Sequence, residues 1–161
     1  FNQHPEVKLI IAPHVIDENH LVEIIRKLKR PYVRYTRADE KNVRKADCLI
    51  IDCFGLLSSI YRYGEIAYIG GGFGVGIHNT LEAAVYGIPV IFGPKYQKFQ
   101  EAIRLLEAKG GFSIKSYEEL KALLDRMLED EEFLRESGMN AGLYVTDNAG
   151  ATDRVLNMIN F

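Results

Sequence analysis

The sequence has almost no surplus of charge of either sign. Its 161 residues carry 20 lysines and arginines against 22 aspartates and glutamates, a net charge of -2. A dedicated nucleic-acid binder usually shows a basic excess, so no nucleic-acid partner is expected. No apolar run reaches the length needed to cross a bilayer, and no signal-peptide pattern opens the chain. Cysteine is scarce, with only Cys48 and Cys53 present. Two cysteines cannot build a disulfide framework, and a zinc site needs further ligands, so no metal is expected. Both fall in or beside an apolar strand-like run and read as small buried thiols. Internal repeats, low-complexity tracts and linkers are also missing, which predicts one domain over residues 1–161. The chain is 47% hydrophobic and 26% charged. That composition supports an ordinary core and excludes disordered and fibrous classes. The first residue is Phe1 rather than Met, and an apolar strand follows almost directly. We expect a piece of a longer protein; tag removal or processing would also leave such a start.

Strand and helix patterns alternate along the sequence. "VKLIIAP" (7–13) is short, apolar and closed by Pro13, as a buried strand would be. Leu21, Ile24, Ile25 and Leu28 recur at helical spacing. "PYVRY" is a short strand, "TRADEKNVRKA" a charged loop, and "DCLIID" (47–52) a second buried strand. "GLLSSIYRYG" predicts a short helix and "EIAYIG" a third core strand. "HNTLEAAVYG" predicts a helix ending at Gly87, a suitable C-cap. "IPVIFG" is a fourth strand, with Pro89 near its start, where a ladder donor is least missed. A helix near residues 98–109, the strand "GFSIK", the helix "YEELKALLDRMLED" and two closing helical stretches split near residues 148–150 complete the chain. Such alternation implies an α/β fold with a parallel sheet covered by helices on both faces.

What is abundant is glycine at one place. Residues 70–76 hold five of the chain's 14 glycines, and His78, Asn79, Thr80 and Glu82 follow at once. Ligands of open α/β sheets collect beyond the carboxyl ends of the strands, where this loop lies. Glycine lets the main chain turn sharply and approach a ligand without a Cβ in the way. A following helix would add unpaired N–H groups and the positive end of its dipole. His78 and Glu82, four residues apart, would then project from one side of the first turn. The pattern reads as a nucleotide seat, with amides for phosphate and Glu82 for ribose hydroxyls. A second reading stays open: Asn79 and Glu82 have nearly the spacing of a capping box, which would only tie down the helix start. The loop is neither a GxGxxG dinucleotide fingerprint with its distant acid nor a Walker loop closed by Gly-Lys-Ser/Thr. A dinucleotide-dependent oxidoreductase is discounted on that ground.

The stretch "YIGGGFGVGIHNTLEAAVYGIPVIFGP" (68–94) resembles the donor-binding half of the 3-deoxy-D-manno-octulosonic acid (Kdo) transferases, which are bacterial GT-B glycosyltransferases. The family pattern is approximately G-G-S-x-x-x-x-G-G-H-N-P-L-E, then G-x-P-V-x-F-G-P. The matching residues are Gly71, Gly72, Gly76, His78, Asn79, Leu81 and Glu82, then Gly87, Pro89, Val90, Phe92, Gly93 and Pro94. "IIDCFGLLSSIYRYGEIAYIGG" is similar to the family's D-T-x-G-E-L segment, and "NAGATDRVL" (148–156) to its closing N-x-G-A-x-x-R-x-L. Phe73, Ile77 and Thr80 replace a Ser, a Gly and a Pro, and Cys53 and Leu56 replace a Thr and a Glu. His14 stands where the family's strand-end P-R-H has Arg, exchanging a permanent charge for a titratable one. Lys95 stands at a usual His position.

The resemblance implies a Rossmann-like, GT-B half that binds CMP-Kdo and needs no cofactor. Phosphate would rest on Gly71, Gly72, Gly76 and the start at His78, Asn79 and Thr80, with Glu82 on ribose. The base would lie near Phe54 and Gly55, where Phe54 either packs on cytosine or belongs to the core. His14 is either a phosphate contact or a polar strand-end residue, and Lys95 either a donor contact or a solvated lysine. Kdo would pass to lipid A or its precursor in lipopolysaccharide biosynthesis, at the cytoplasmic face of the inner membrane of Gram-negative bacteria. The catalytic base would be a Glu of an amino-terminal domain that also carries the acceptor and membrane contacts and is absent from this chain. The chain alone is therefore expected to bind nucleotide weakly, to transfer nothing and to be soluble. Alternatives are a GT-B domain using a UDP-sugar and a non-catalytic nucleotide-binding domain.

Overall fold

A computed structural model describes residues 1–150 and residue 156. Most of "NAGATDRVL" and the last expected helical stretch lie outside the described residues. The chain divides into two compact units, Phe1–Ile60 and Tyr61–Phe161.

In the first unit, β1 (Leu9–Ile11), β3 (Cys48–Ile50) and β2 (Tyr32–Arg34) form a parallel sheet in the order β1-β3-β2. Alternate residues of a strand share a face. Leu9 and Ile11 therefore join Cys48 and Ile50 in one apolar cluster, closed by Leu21, Ile24, Ile25 and Leu28. The first three of those lie on α1 (Glu18–Lys27), whose start is capped by the Asp17 carboxylate accepting from the Asn19 and His20 amides. Burial pushes the Cys48 thiol up to about 11, against a small opposing pull from Arg30. Cys48 is buried as expected, whereas Cys53 is only half-buried.

The expected charged loop at residues 36–46 contains structure. A single 3-10 turn (Tyr35–Arg37) leads into the short helix α2 (Glu40–Val43). Asp39 accepts from the Lys41 and Asn42 amides at 2.8 Å, and Asn42 Oδ1 accepts from the Asp39 amide at 2.8 Å. This reciprocal cap uses Asp-x-x-Asn, so the usual Ser/Thr-x-x-Glu/Gln signature does not find it. The unit closes with α3 (Leu57–Ile60).

Two acids flanking β3, unremarkable in sequence, are both fully engaged. Asp47 is held by Lys8 and by Arg30 Nε at 3.2 Å, and the same guanidinium donates to the carbonyls of Phe1, His4 and Pro5. Asp52 is the more enclosed, with a side chain 0% exposed. It accepts from Arg34 Nε at 2.8 Å, the Thr36 amide at 2.9 Å and the Thr36 hydroxyl at 2.6 Å. Arg34 also donates to both oxygens of Glu18 at 2.8 Å.

In the second unit β4 (Ala67–Ile69), β5 (Val90–Phe92) and β6 (Gly111–Ser113) form a parallel sheet in the order β4-β5-β6. Central β5 is buried on both faces, which is why it reads as an unbroken apolar run. Val90 and Phe92 pack with Ala83 and Ala84 of α4 (Leu81–Ala84), Ala102 and Leu105 of α5 (Gln100–Glu107) and Ala141 of α7 (Glu131–Asn148). Ile91 points the other way, into a cluster with Met127, Leu120, Leu123 and Leu124 of α6 (Tyr117–Glu129). Helices therefore cover both faces, as the α/β reading requires. Pro89 immediately precedes β5, and its carbonyl accepts from the Ala67 amide at 3.0 Å. Helix α4 ends at Ala84 with its C-cap at Val85, ahead of the expected Gly87 cap, and Gly87 takes φ +68° in the turn that follows. Helix α7 lies backbone to backbone on that turn: a Cβ on Gly138 would stand 2.3 Å from the Gly87 carbonyl oxygen. Among the described residues no helix is long and apolar enough to cross a membrane.

Burial raises the proton affinity of the Asp52 carboxyl, but the Thr36 and Arg34 hydrogen bonds outweigh it and hold the group at about 2, below its ordinary 3.8. A carboxyl depressed in the folded state contributes stability that is present above its ordinary value and lost as pH falls through the folded one. Urea midpoints measured from pH 5 to pH 2 should therefore fall across that window in the wild type. In Asp52→Asn the midpoint at pH 5 should be lower and the fall across the window shallower. Parallel wild-type and variant curves would contradict the assignment.

Candidate functional site

At the carboxyl end of β4 the chain enters the glycine loop and folds it onto itself. The Gly74 N–H donates to the Gly71 carbonyl at 2.8 Å and the His78 N–H to the Gly70 carbonyl at 3.2 Å. Gly71 takes φ +88°, and a Cβ there would stand 2.2 Å from the Gly76 carbonyl oxygen. The loop also lies against the segment that follows β5. A Cβ on Gly72 would stand 2.6 Å from the Gly93 nitrogen, and one on Gly76 3.0 Å from the Phe99 ring. The Lys95 N–H donates to the Gly72 carbonyl at 3.0 Å, and the Lys95 ammonium donates to the Gly74 carbonyl at 2.7 Å.

The bare backbone thus has two causes. Gly71, Gly72 and Gly76 are required by the loop's own packing, whatever it binds. Gly74 is not: a Cβ there would meet only the Gly71 oxygen, at 3.5 Å, which is ordinary contact. Among the described residues the amides of Phe73, Val75 and Gly76 have no hydrogen-bond partner. Phe73 is 50% exposed and Val75 fully exposed, so their amides sit on an open stretch of chain, and half-buried Gly76 closes it against the Phe99 ring. The amides of Gly74 and His78, by contrast, are engaged inside the loop.

The helix expected to begin at His78 begins later. The α4 helix has four residues and starts at Leu81. His78 and Asn79 precede it, so His78 and Glu82 do not share a helical turn. So short a helix sums few peptide dipoles, which leaves the loop amides and the Lys95 ammonium as the electropositive features of the site. His78 is exposed, with its ring near the bare loop backbone: Cδ2 lies 3.3 Å from the place of a Cβ on Gly71. Asn79 accepts from the Leu81 amide at 3.0 Å and donates from Nδ2 to Glu82 Oε1 at 3.0 Å. This is a cap built on Asn79, but not the reciprocal box. It engages one oxygen of the half-buried Glu82 carboxylate, and a carboxylate has acceptor sites to spare. Tyr61 is near enough to feel that charge: burial first, and Glu82 second, raise the proton affinity of its phenol. Thr80 is fully buried and its hydroxyl lacks a hydrogen-bond partner. It therefore does not present its hydroxyl to solvent.

Gly71, Gly72, Gly76, His78, Asn79, Thr80, Glu82 and Lys95 thus all fall within the second unit, in one loop and the segments that touch it. His14, Phe54 and Gly55 belong to the first unit. His14 is exposed after Pro13. Phe54 is 83% exposed, which removes the core reading of that aromatic. Gly55 takes φ +88°, with open space where a Cβ would stand. Sequence reasoning missed Phe99 and the closeness of Gly93. Their signal is a contact across chain segments, which spacing does not carry.

These contacts separate two glycines. Gly72→Ala should lower unfolding stability by about 1–3 kcal/mol, because a methyl group is forced against backbone. Gly74→Ala should fall within about 0.5 kcal/mol of wild type. Urea denaturation of both variants checks the contrast, and equal losses would contradict the packing account.

No family model matches the chain. It is 35% identical over 127 residues to 3-deoxy-D-manno-octulosonic acid transferase of Aquifex aeolicus, covering 78% of this chain and 35% of that protein. It is 28% identical over 162 residues to the enzyme of the same name from Haemophilus influenzae, covering 98% of this chain and 38% of the other. A crystal structure of the C-terminal CMP-Kdo binding domain of WaaA from Acinetobacter baumannii superposes with a TM-score of 0.69 at 19% identity, covering 82% of this chain and 70% of that one. That likeness shows the shared Rossmann-like fold. By sequence, the chain belongs with the 3-deoxy-D-manno-octulosonic acid transferases and spans about a third of the length of the curated relatives it matches.

Proposed function

We propose that the chain is the donor-binding domain of a Kdo transferase and takes CMP-Kdo. The observation that carries this reading is the Gly70–Gly76 loop, with its unpartnered Phe73, Val75 and Gly76 amides, followed directly in the chain by the Asn79–Glu82 pair, in a chain related to Kdo transferases. The phosphate of the donor rests on those amides, and the free acceptor capacity of Glu82 takes ribose hydroxyls.

In the transfer, an acceptor hydroxyl oxygen bonds to the anomeric carbon of Kdo while the bond from that carbon to the phosphate oxygen breaks. CMP departs as an anion, and the loop amides stabilise the charge that grows on it. The acceptor proton passes to a general base outside this chain. The acceptor is lipid A or its precursor, met at the cytoplasmic face of the inner membrane through the rest of the full-length protein. Asp47 and Asp52 are poor bases for this step, since the ion pairs and hydrogen bonds that occupy their oxygens lower their proton affinity.

Titration with CMP, followed by amide shifts, tests the reading. Shifts should cluster at residues 70–82, and Glu82→Ala should weaken binding about tenfold, the scale of a lost hydrogen bond to a charged group. UDP should bind more weakly than CMP. Shifts confined to other residues, or an unchanged affinity in Glu82→Ala, would overturn it, and a preference for UDP would point to a UDP-sugar donor.

A further inference from the structure

The sequence leaves Lys95 as either a donor contact or a solvated lysine, and the structure puts it to a third use. Its main chain and its side chain both bond to the glycine loop. The N–H donates to the Gly72 carbonyl at 3.0 Å and the ammonium to the Gly74 carbonyl at 2.7 Å. The two carbonyls belong to alternate residues of the loop, on either side of Phe73. The segment carrying Lys95 is itself fixed: Gln97 Nε2 donates to the Pro94 carbonyl at 2.8 Å, and the Phe99 amide to the Tyr96 carbonyl at 2.8 Å. The ring of Phe99 then stands 3.0 Å from the place of a Cβ on Gly76. The segment after β5 thus touches Gly72, Gly74 and Gly76 in turn, through an amide, an ammonium and a ring.

Glycine loses more conformational freedom on folding than any other residue, so five of them in seven positions make the loop costly to order. An anion seat built of amides works only if those amides already converge before the anion arrives. The Gly74 carbonyl accepts no backbone hydrogen bond among the described residues; the Lys95 ammonium is its partner.

We propose that Lys95 is a positioning residue of the anion seat. Its ammonium straps the Gly74 carbonyl and so fixes the peptide plane that carries the Val75 amide, while its own N–H on the Gly72 carbonyl fixes the plane that carries the Phe73 amide. An ammonium carries three N–H donors, and Gly74 takes one of them. The positive charge thus stays beside the seat while the loop is held. A shorter His at this position would not make the same two-point attachment through a flexible four-carbon stem. The inference rests on the nucleotide reading of the loop for its function, but not for its geometry.

The test compares the wild-type chain with Lys95→Met and Lys95→Arg by amide spectra and hydrogen exchange, without ligand and then with CMP. Lys95 is exposed, so the variants retain the fold, and unchanged amides in β4 and β5 verify it. Without ligand, Lys95→Met should shift the amides of residues 71–77 and speed the exchange of the Gly74 amide. Lys95→Arg, which keeps a donor, should restore both. With CMP, Lys95→Met should bind about tenfold more weakly, with Arg recovering most of the loss. Identical ligand-free loop spectra in wild type and Lys95→Met would overturn the strap, and a loss of CMP affinity alongside them would make Lys95 a direct charge instead. If wild type fails to bind CMP, the functional reading falls while the ligand-free spectra still decide the strap.

Discussion

The second unit is organised around the approach of Gly72 to Gly93. Parallel β4 and β5 are neighbours in the sheet, and their carboxyl-terminal extensions continue side by side until backbone meets backbone. A Cβ on either glycine would stand 2.6 Å from main-chain atoms of the other. This contact requires the paired glycine positions after both strands. It also sets the entry of the loop and brings Lys95 and Phe99 against it. The loop is therefore a packed structure with an exposed crest, and only the crest is available to a ligand.

That division changes how the glycine cluster is understood. Three of its members serve packing, so their presence says little about chemistry. The chemistry lies in which amides remain outside once the packing is complete. The crest carries them on Phe73, Val75 and Gly76, with a lysine ammonium and the Asn79–Glu82 pair nearby. A one-turn α4 adds little dipole, so the electrostatics of the seat depend on loop conformation. In the first unit, Asp52 does a comparable job by ionic means. It joins the end of β3 to the chain leaving β2, just ahead of the exposed Phe54.

Much of this was legible in the sequence, and the limits have physical reasons. The strands read clearly because β5 is buried on both faces and β3 nearly so. Pro89 marks the start of β5 because its missing donor is a local property, whereas α4 is capped at Val85, two residues before the Gly87 that the sequence offers as its cap. The two-unit division and the two separate three-stranded sheets were not visible, since alternation gives strand type but not pairing. The α2 cap was missed because Asp-x-x-Asn is an uncommon form of a familiar device. Asp47 and Asp52 look unpaired in sequence because their partners are 16 or more residues away. His78 and Glu82 do not share a turn because α4 starts at Leu81, three residues after the start that the sequence pattern suggests. The loop was recognised from its composition, but the purpose of each glycine depended on what stands beside it in space.

The central claim is that the crest amides hold the phosphate of a cytidine nucleotide. Scalar couplings through hydrogen bonds, from the phosphorus of bound CMP to amide nitrogens of the ¹⁵N-labelled chain, test it most directly. Couplings should appear to amides among Phe73, Val75 and Gly76, with those protons moved downfield. Bound CMP whose phosphorus couples to amides elsewhere, with the crest protons unmoved, would contradict it.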